Sequence, residues 1–371
     1  MRAPQHNSKA APNPDSRKGD MRGRQHERAM SSSRIGGFAL TIPIISVAVG
    51  SMGYAAWRIN WPALVQSFLT GPGRTSRVLL LLFIVFNWKT LPLAWTYRIF
   101  YAMLYHMVFR KSQKLGPRAL FKPMISDTKA ALLEIDYNLH KSNSTYFADL
   151  DVSRTHLCAY LLRDPIRSMS NNLKTRLVLD PRTGQPVKGN FAIALGSVMC
   201  SFKREISPYQ SYEIWSRVAC WDRKWLYIIS YFMPKGVARP TEWLDPNFRR
   251  VRTRDHKDAT SGWEKKIHAT AMSKYVFKVG RFTVHPAIVL SGARLLPPRP
   301  GGWQSGENFL GDESADLSDV NLTDDGDWDW RRVEAQRREG MKLASQFHAL
   351  DGLHGTFDGG NYGALARFGP G

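Results

Sequence analysis

Hydrophobic and polar positions divide the chain into zones of different period. Residues 1–34 are polar, rich in Ser, Arg and Pro and without apolar periodicity, which marks a disordered tail. From Ile35 to Trp57 no charged residue occurs, and at about 1.5 Å per residue this run is long enough to cross a hydrocarbon layer of about 30 Å. A second apolar stretch covers 78–97. Lys89 stands near enough to its end to snorkel, and Trp88 and Trp95 suit an interface, so it is either a second span, a re-entrant segment or a buried core helix. The aromatic stretch Tyr97–Phe109 either lies along headgroups or packs as a connecting helix.

Beyond residue 120 the pattern becomes that of a folded domain. Tyr146, Leu150, Leu157 and Leu161 place one apolar stripe on a long helix, and Ser142, Asn143 and Ser144 just before it are candidate N-caps. A turn at Asp180–Gly184 precedes three expected strands, 191–202, 212–221 and 225–232. The second of these alternates, with Tyr212, Ile214, Ser216 and Val218 on one face and Glu213, Trp215 and Arg217 on the other. Asp222-Arg223-Lys224 turns the second strand into the third. A loop rich in Pro, Trp and Arg over 233–266 interrupts the sheet, and strand character returns over 275–289 before Pro297-Pro298-Arg299-Pro300 ends the domain. One long helix followed by an antiparallel run is an α+β pattern. Residues 298–371 are an acidic, Gly-rich tail. Its stretch 330–350 has helical spacing at Val333, Met341, Leu343 and Phe347, and is either an amphipathic helix packed back on the domain or a partner-binding segment.

Charge adds orientation. The formal net charge is +21, concentrated in the tail and in 110–122, with only Arg58, Arg74 and Arg77 between the two apolar stretches. The positive-inside rule then predicts a hairpin in the membrane, tail and main domain both cytosolic. No nucleic-acid-binding motif accompanies the charge, so nucleic acid is not an expected partner. Cys158, Cys200 and Cys220 are widely spaced, which argues against a zinc site or a disulfide framework.

The candidate chemistry lies just before the long helix. Asp136 ends a short apolar run and a polar turn follows, so its carboxylate would face the first N–H groups of the helix. Taken alone, it is either a turn-capping carboxylate or a catalytic one. His140 is likewise either a hydrogen-bonded turn residue or a catalytic one. From Asp136, His140 falls at plus four, Asn143 at plus seven and Tyr146 at plus ten, followed by Asp151 and Arg154. This resembles the D-x-x-G-H-V-N-N-x-x-Y signature, followed by E-x-x-R, of the hotdog-fold acyl-CoA thioesterases. In layout it is similar to the membrane-anchored branch called thioesterase superfamily member six and its fungal relatives, some of them encoded beside secondary-metabolite synthases. Leu139 stands where the signature has glycine and Ser142 where it has the first asparagine.

The resemblance implies a hotdog domain over 120–297, a sheet wrapped around the long helix, preceded by a membrane anchor region over 35–109 containing one or two transmembrane helices. It implies hydrolysis of an acyl thioester of coenzyme A or of a carrier protein. Asp136 would be the catalytic carboxylate, His140, Asn143, Ser144 and Tyr146 the substrate- and oxyanion-binding group, and the active site would lie at a homodimer interface. No cofactor or metal is implied, and the expected address is the endoplasmic reticulum membrane with the hotdog domain cytosolic. A non-catalytic hotdog protein that binds acyl chains or scaffolds partners is the alternative, supported by Leu139 and Ser142. Asp151 and Arg154, three apart, would pair at the helix surface or at a subunit contact. The arginines of 233–266 are either a phosphate clamp for coenzyme A or a solvated loop near anionic lipid.

Overall fold

In the computed structural model, residues 50–51, 54, 57–110, 115–245, 262–303, 316–322, 326–356 and 366 are described. The chain divides into two compact units, Met1–Leu82 and Phe83–Gly371. Helix α1 (Trp61–Thr70) starts at Asn60, whose side chain accepts from the Ala63 N–H, and carries Pro62 in its first turn, where a missing N–H costs nothing. Helix α2 (Arg74–Phe86) exposes nearly every large apolar side chain from Leu79 to Phe86. No single described helix is long and apolar enough to cross a membrane; α1 and α2 satisfy length and composition only as a pair bent by 110°.

The expected run 35–57 lies almost wholly outside the described residues, and 78–97 is not one helix. It stops at Asn87, which is buried. Its Nδ2 donates to the Phe83 carbonyl at 2.9 Å, and its Oδ1 accepts from the Leu133 N–H at 3.1 Å. A short 3-10 turn, Trp88–Thr90, then Pro92 and a left-handed Leu93 separate α2 from α3 (Ala94–Leu104). Nor does Lys89 snorkel: it is buried and ion-paired inside the folded unit. Helix α3 passes into a π-turn, Tyr105–Phe109, and packs on the central helix through Ala94, Ala102 and His106, whose Nε2 lies 2.9 Å from His156 Nδ1. Burial first, then His156 and two nearby arginines, pushes the His106 imidazole down to about 3, so this clamp is neutral at physiological pH.

The main body is an antiparallel sheet of β1 (Met124–Lys129), β2 (Phe191–Phe202), β3 (Ser211–Trp221), β4 (Trp225–Pro234), β5 (Ala269–Val279) and β6 (Phe282–Val284). Its order is β1-β3-β4-β5-β2, and β6 pairs with the end of β5 beyond the reach of β4. The first three expected strands are present within two residues of their expected bounds. Strand β1 was not foreseen, being six residues with two charges and no run of apolar residues. The last strand begins six residues earlier than expected and 286–289 is helical. His285 caps a helix there, α7 (Pro286–Gly292), and Pro286 occupies its first turn.

The central helix α4 (Tyr146–Leu161) lies on one face of this sheet, and α5 (Arg163–Ser170) and α6 (Asn172–Thr175) follow it. Tyr212, Ile214 and Val218 face it, as their alternation predicts, with Leu226, Ile228 and Phe232 of β4 beside them. A chain of hydroxyls, Ser153 to Ser216 at 2.8 Å and Ser216 to Ser230 at 2.7 Å, satisfies the polar groups at the centre of this contact. Helix α8 (Trp330–Ala349) covers the opposite face with Met341, Ala344 and Phe347 on Ala219, Cys220, Tyr227, Ile229 and Met272. Gly340 permits that approach: a Cβ there would run into the Ala219 carbonyl. The C-terminal segment is thus a packed third layer, its fully buried Glu334 carboxylate held by Arg299, Arg337 and Arg338.

Candidate functional site

The polar turn ahead of α4 is a small closed loop. Ile135 and Lys141 bridge as an antiparallel pair, the Asp136 N–H donates to the His140 carbonyl at 3.0 Å, and the Leu139 N–H donates to the Asp136 carbonyl at 3.0 Å. Asp136 Oδ1 accepts from the Asn138 N–H at 2.9 Å, an Asx-type turn that fixes the half-buried carboxylate. Leu139 takes φ 65°, the left-handed conformation that a glycine would supply at no cost. A leucine there costs about 1–2 kcal/mol, so the turn carries backbone strain that the glycine of the signature would not. The added bulk faces outward, since Leu139 is 73% exposed. Leu139→Gly is therefore expected to leave the fold unchanged and to raise stability by up to about 1 kcal/mol, the relief of backbone strain less the greater freedom of unfolded glycine. A lowered thermal midpoint would show instead that the leucine side chain makes a contact worth more than its strain.

The helix entry is tied down by main chain. The Ser142 N–H donates to the Glu134 carbonyl and the Lys141 N–H to that of Ile206, each at 2.8 Å. Asn143–Thr145 form a 3-10 turn leading into α4. None of the expected N-caps closes the helix. Ser142 Oγ meets Ser144 Oγ at 3.1 Å, and neither Ser142 nor Thr145 caps with its side chain. The first N–H groups of the helix are therefore not consumed by a side-chain cap, the condition under which a helix start binds an anionic oxygen.

Other site residues sit differently from expectation. The Tyr146 ring is core, 5.0 Å from Phe202 and 4.9 Å from Phe232, so only its main chain belongs to the helix entry. His140 Nε2 meets Glu205 Oε2 at 2.9 Å across the loop that follows β2. Asp151 and Arg154 do pair, at 2.5 Å, with the Asp151 carboxylate partly exposed and the Arg154 guanidinium drawn inward. Arg154 is 1% exposed and reaches Ser273 of β5 and the Leu150 carbonyl. Of the arginines in 233–266 only Arg239 lies among the described residues.

Beneath the turn is a buried ionic cluster that sequence reading missed. Glu134 accepts from Lys89 at 2.8 Å and pairs with Lys141 at 3.2 Å. Asp149 pairs with Arg98 at 2.9 Å, Lys141 at 3.0 Å and Lys89 at 3.2 Å, and accepts from the Tyr212 hydroxyl at 2.5 Å. Lys89 also donates to the Lys129 carbonyl at 2.8 Å. Burial alone would raise the Asp149 carboxyl, but Lys89, Lys141, Arg98 and the Tyr212 hydrogen bond outweigh it and hold the group well below the usual carboxylate range. Glu134 and Lys141 flank the Asp136 turn, so the cluster ties that turn to α3, β3 and α4. A signal was available: Asp149 stands on the apolar stripe of α4, three residues from Tyr146, where an unpaired charge would be prohibitive.

The arrangement offers a carboxylate fixed in the turn that precedes α4 and a helix start without a side-chain cap, and a carboxylate of this kind can activate water or attack a polarised carbonyl directly. Residues 131–274 match the family model of the thioesterase-like superfamily. The chain is 33% identical over 311 residues to the probable thioesterase atnL of Emericella nidulans, a match covering 82% of this chain and 93% of that protein. It is 35% identical over 302 residues to the thioesterase poxG of Penicillium oxalicum, covering 80% and 90%. A probable thioesterase of Saccharomyces cerevisiae is 27% identical over 215 residues, covering 55% and 74%. The α+β fold, the turn and these matches agree, and the chain belongs to the thioesterase-like hotdog superfamily as a thioester hydrolase.

Proposed function

We propose that the protein hydrolyses hydrophobic acyl thioesters of coenzyme A or of a carrier protein, of fatty-acyl or polyketide type, with Asp136 as the catalytic carboxylate. The observation that carries this reading is the closed turn just before α4, in which the Asp136 carboxylate is held by the Asn138 N–H and Leu139 takes the left-handed conformation that suits glycine. Asp136 either draws a proton from water as it attacks the carbonyl carbon or attacks directly, giving a mixed anhydride that water then opens. In both routes the C–S bond breaks, the thiol leaves with a proton, and the acid is released. A backbone N–H at the start of α4, in the stretch from Asn143 to Tyr146 but not that of Thr145, which the Ser142 carbonyl takes at 3.0 Å, stabilises the oxyanion with help from the helix dipole. His140, Asn143 and Ser144 shape the thioester end of the site.

A membrane address, with the hotdog domain on the cytosolic side of the endoplasmic reticulum, suits such a substrate. It is supported by the exposed apolar surface of α2 and by the outer face of α3, where Tyr97, Phe100, Tyr101 and Leu104 are exposed. A homodimer is supported by β2. Twelve residues without a charge form this edge strand, which pairs only with β5 among the described strands, the kind of edge that recruits a second chain. The test is thiol release from acyl-CoAs of graded length by the full chain and by Asp136→Asn, with protein recovered from the membrane fraction and its mass taken by light scattering. Turnover that vanishes in the variant, by a particle of two chains, is the expected result. Equal turnover by both proteins sinks the assignment of Asp136, and a monomeric, membrane-free active protein sinks the anchor and the dimer.

A further inference from the structure

A cavity of about 290 Å³ lies between α3, α4, α5 and the start of β2, away from the Asp136 turn. Its walls are mostly apolar, with Met103 and Met107 from α3 and its π-turn, Ile166 from α5, and Phe191 and Ile193 from β2. That is at the small end of ligand pockets, which run roughly 300–1,000 Å³, and it holds about ten water-sized groups at about 30 Å³ each. Three polar side chains interrupt this lining, Thr155, Tyr275 and Arg154, and the Thr155 hydroxyl is spent on the Asp151 carbonyl at 2.7 Å. Tyr275, nearly buried, lies with its ring centre 5.6 Å from the Arg154 guanidinium carbon, and its hydroxyl has no partner among the described residues. Arg154 is held by Asp151, Ser273 and the Leu150 carbonyl, which engage three of its five N–H donors among the described residues.

A fixed guanidinium in a mostly apolar pocket discriminates between ligands. A plain hydrocarbon leaves its remaining donors facing an apolar neighbour, whereas an oxygen-bearing one completes them. Position supplies the other half of the case. Arg154 is eight residues along α4 from Tyr146, about 12 Å at about 1.5 Å per residue. A medium acyl chain whose thioester carbonyl sits at the helix start is long enough for its far part to reach this depth.

We propose that this cavity receives the distal part of the acyl chain, and that Arg154 with Tyr275 selects acyl groups carrying a hydroxyl or keto oxygen there. The proposal rests on the reading of the protein as a hydrolase of hydrophobic acyl thioesters. Its test is therefore made on binding, which does not need turnover. Non-hydrolysable S-alkyl thioethers of coenzyme A, butyl, dodecyl and ω-hydroxydodecyl, are titrated calorimetrically into the full chain in detergent, into Ile193→Trp, which fills the cavity, and into Arg154→Met. The dodecyl ligand should bind more tightly than the butyl and the hydroxylated one more tightly still. Ile193→Trp should cut the dodecyl-over-butyl ratio by about tenfold or more, and Arg154→Met should erase the gain from the hydroxyl. A dodecyl preference that survives Ile193→Trp overturns the site, as does the absence of any hydroxyl preference in the wild type. Because Arg154→Met removes interior bonds, the Ile193 variant, which leaves them intact, decides the matter if the methionine variant does not fold. Binding as expected without hydrolysis of any acyl-CoA would leave this pocket standing and remove the catalytic reading instead.

Discussion

Asp136→Asn is expected to lower thiol release from acyl-CoA by about 100- to 10,000-fold, the usual worth of a positioned base or nucleophile. The thermal midpoint should not move. The asymmetry follows from the turn. Asparagine keeps a side-chain oxygen that accepts from the Asn138 N–H, and the main-chain bonds from Asp136 to His140 and from Leu139 to Asp136 do not involve the side chain. Only the negative charge is lost, and with it both the proton acceptor and the nucleophile. Single-turnover hydrolysis in ¹⁸O-labelled water diagnoses the anhydride route: label in the Asp136 carboxylate requires a mixed anhydride opened by water at its aspartyl carbonyl, whereas direct attack by water places label only in the product acid. Retention of more than a tenth of wild-type activity would mean that Asp136 serves the turn alone.

The second large effect concerns stability. Asp149→Asn is expected to destabilise the folded unit by about 3–5 kcal/mol, because it leaves Lys89, Lys141 and Arg98 facing the single remaining carboxylate of Glu134 in a buried cluster. In a body of this size that corresponds to a thermal midpoint lower by about 6–20 °C. Lys141→Met in the same background should recover part of the loss, since it removes one of the stranded cations, and the double-mutant cycle reads that coupling directly. The pH dependence has a definite sign. The folded carboxyl of Asp149 lies below its ordinary value of about 3.9, so its contribution is fully present above that value and is lost as pH falls through the folded value. Wild-type stability should fall on acidification below about pH 4, and the Asp149→Asn variant should show a smaller fall. A variant within 1 kcal/mol of wild type, with an unchanged acid limb, would show that the cluster is solvated and not a buried network.

How much of this was legible before folding depends on the range of the interaction involved. Strands β2, β3 and β4 could be read from apolar composition, and β3 also from alternation, because these signals lie along each strand's own length, and the turn at Asp222–Lys224 joins two of them locally. The early start of β5 was hidden by the loop before it. The helix after Pro286 was hidden by apolar residues that suit a strand as well as a short helix. Strand β1 has too few apolar residues to announce itself and exists because β3 supplies its partner edge. At the site, the spacing from Asp136 to Tyr146 was visible, but not which side chains turn inward. Tyr146 was read both on the apolar stripe and in the binding group, and its ring lies in the core; Arg154 was placed at the helix surface or at a subunit contact, and its side chain lies in the interior, because the helix buries a wider face than its stripe alone defines.

The sequence by itself determined the α+β pattern, the position of the central helix, the carboxylate ahead of it and the likeness to a thioesterase signature. All of these depend on residues within a few positions of one another. Tertiary structure alone decided that Leu139 holds a left-handed turn, that Lys89 is paired inside the fold and not raised toward a lipid surface, that α8 closes the far face of the sheet, and that Arg154 stands beside an apolar cavity. Each of these depends on partners tens to more than a hundred residues away or on a backbone angle, and a charged side chain gives no local sign of whether water or a buried counter-charge will solvate it.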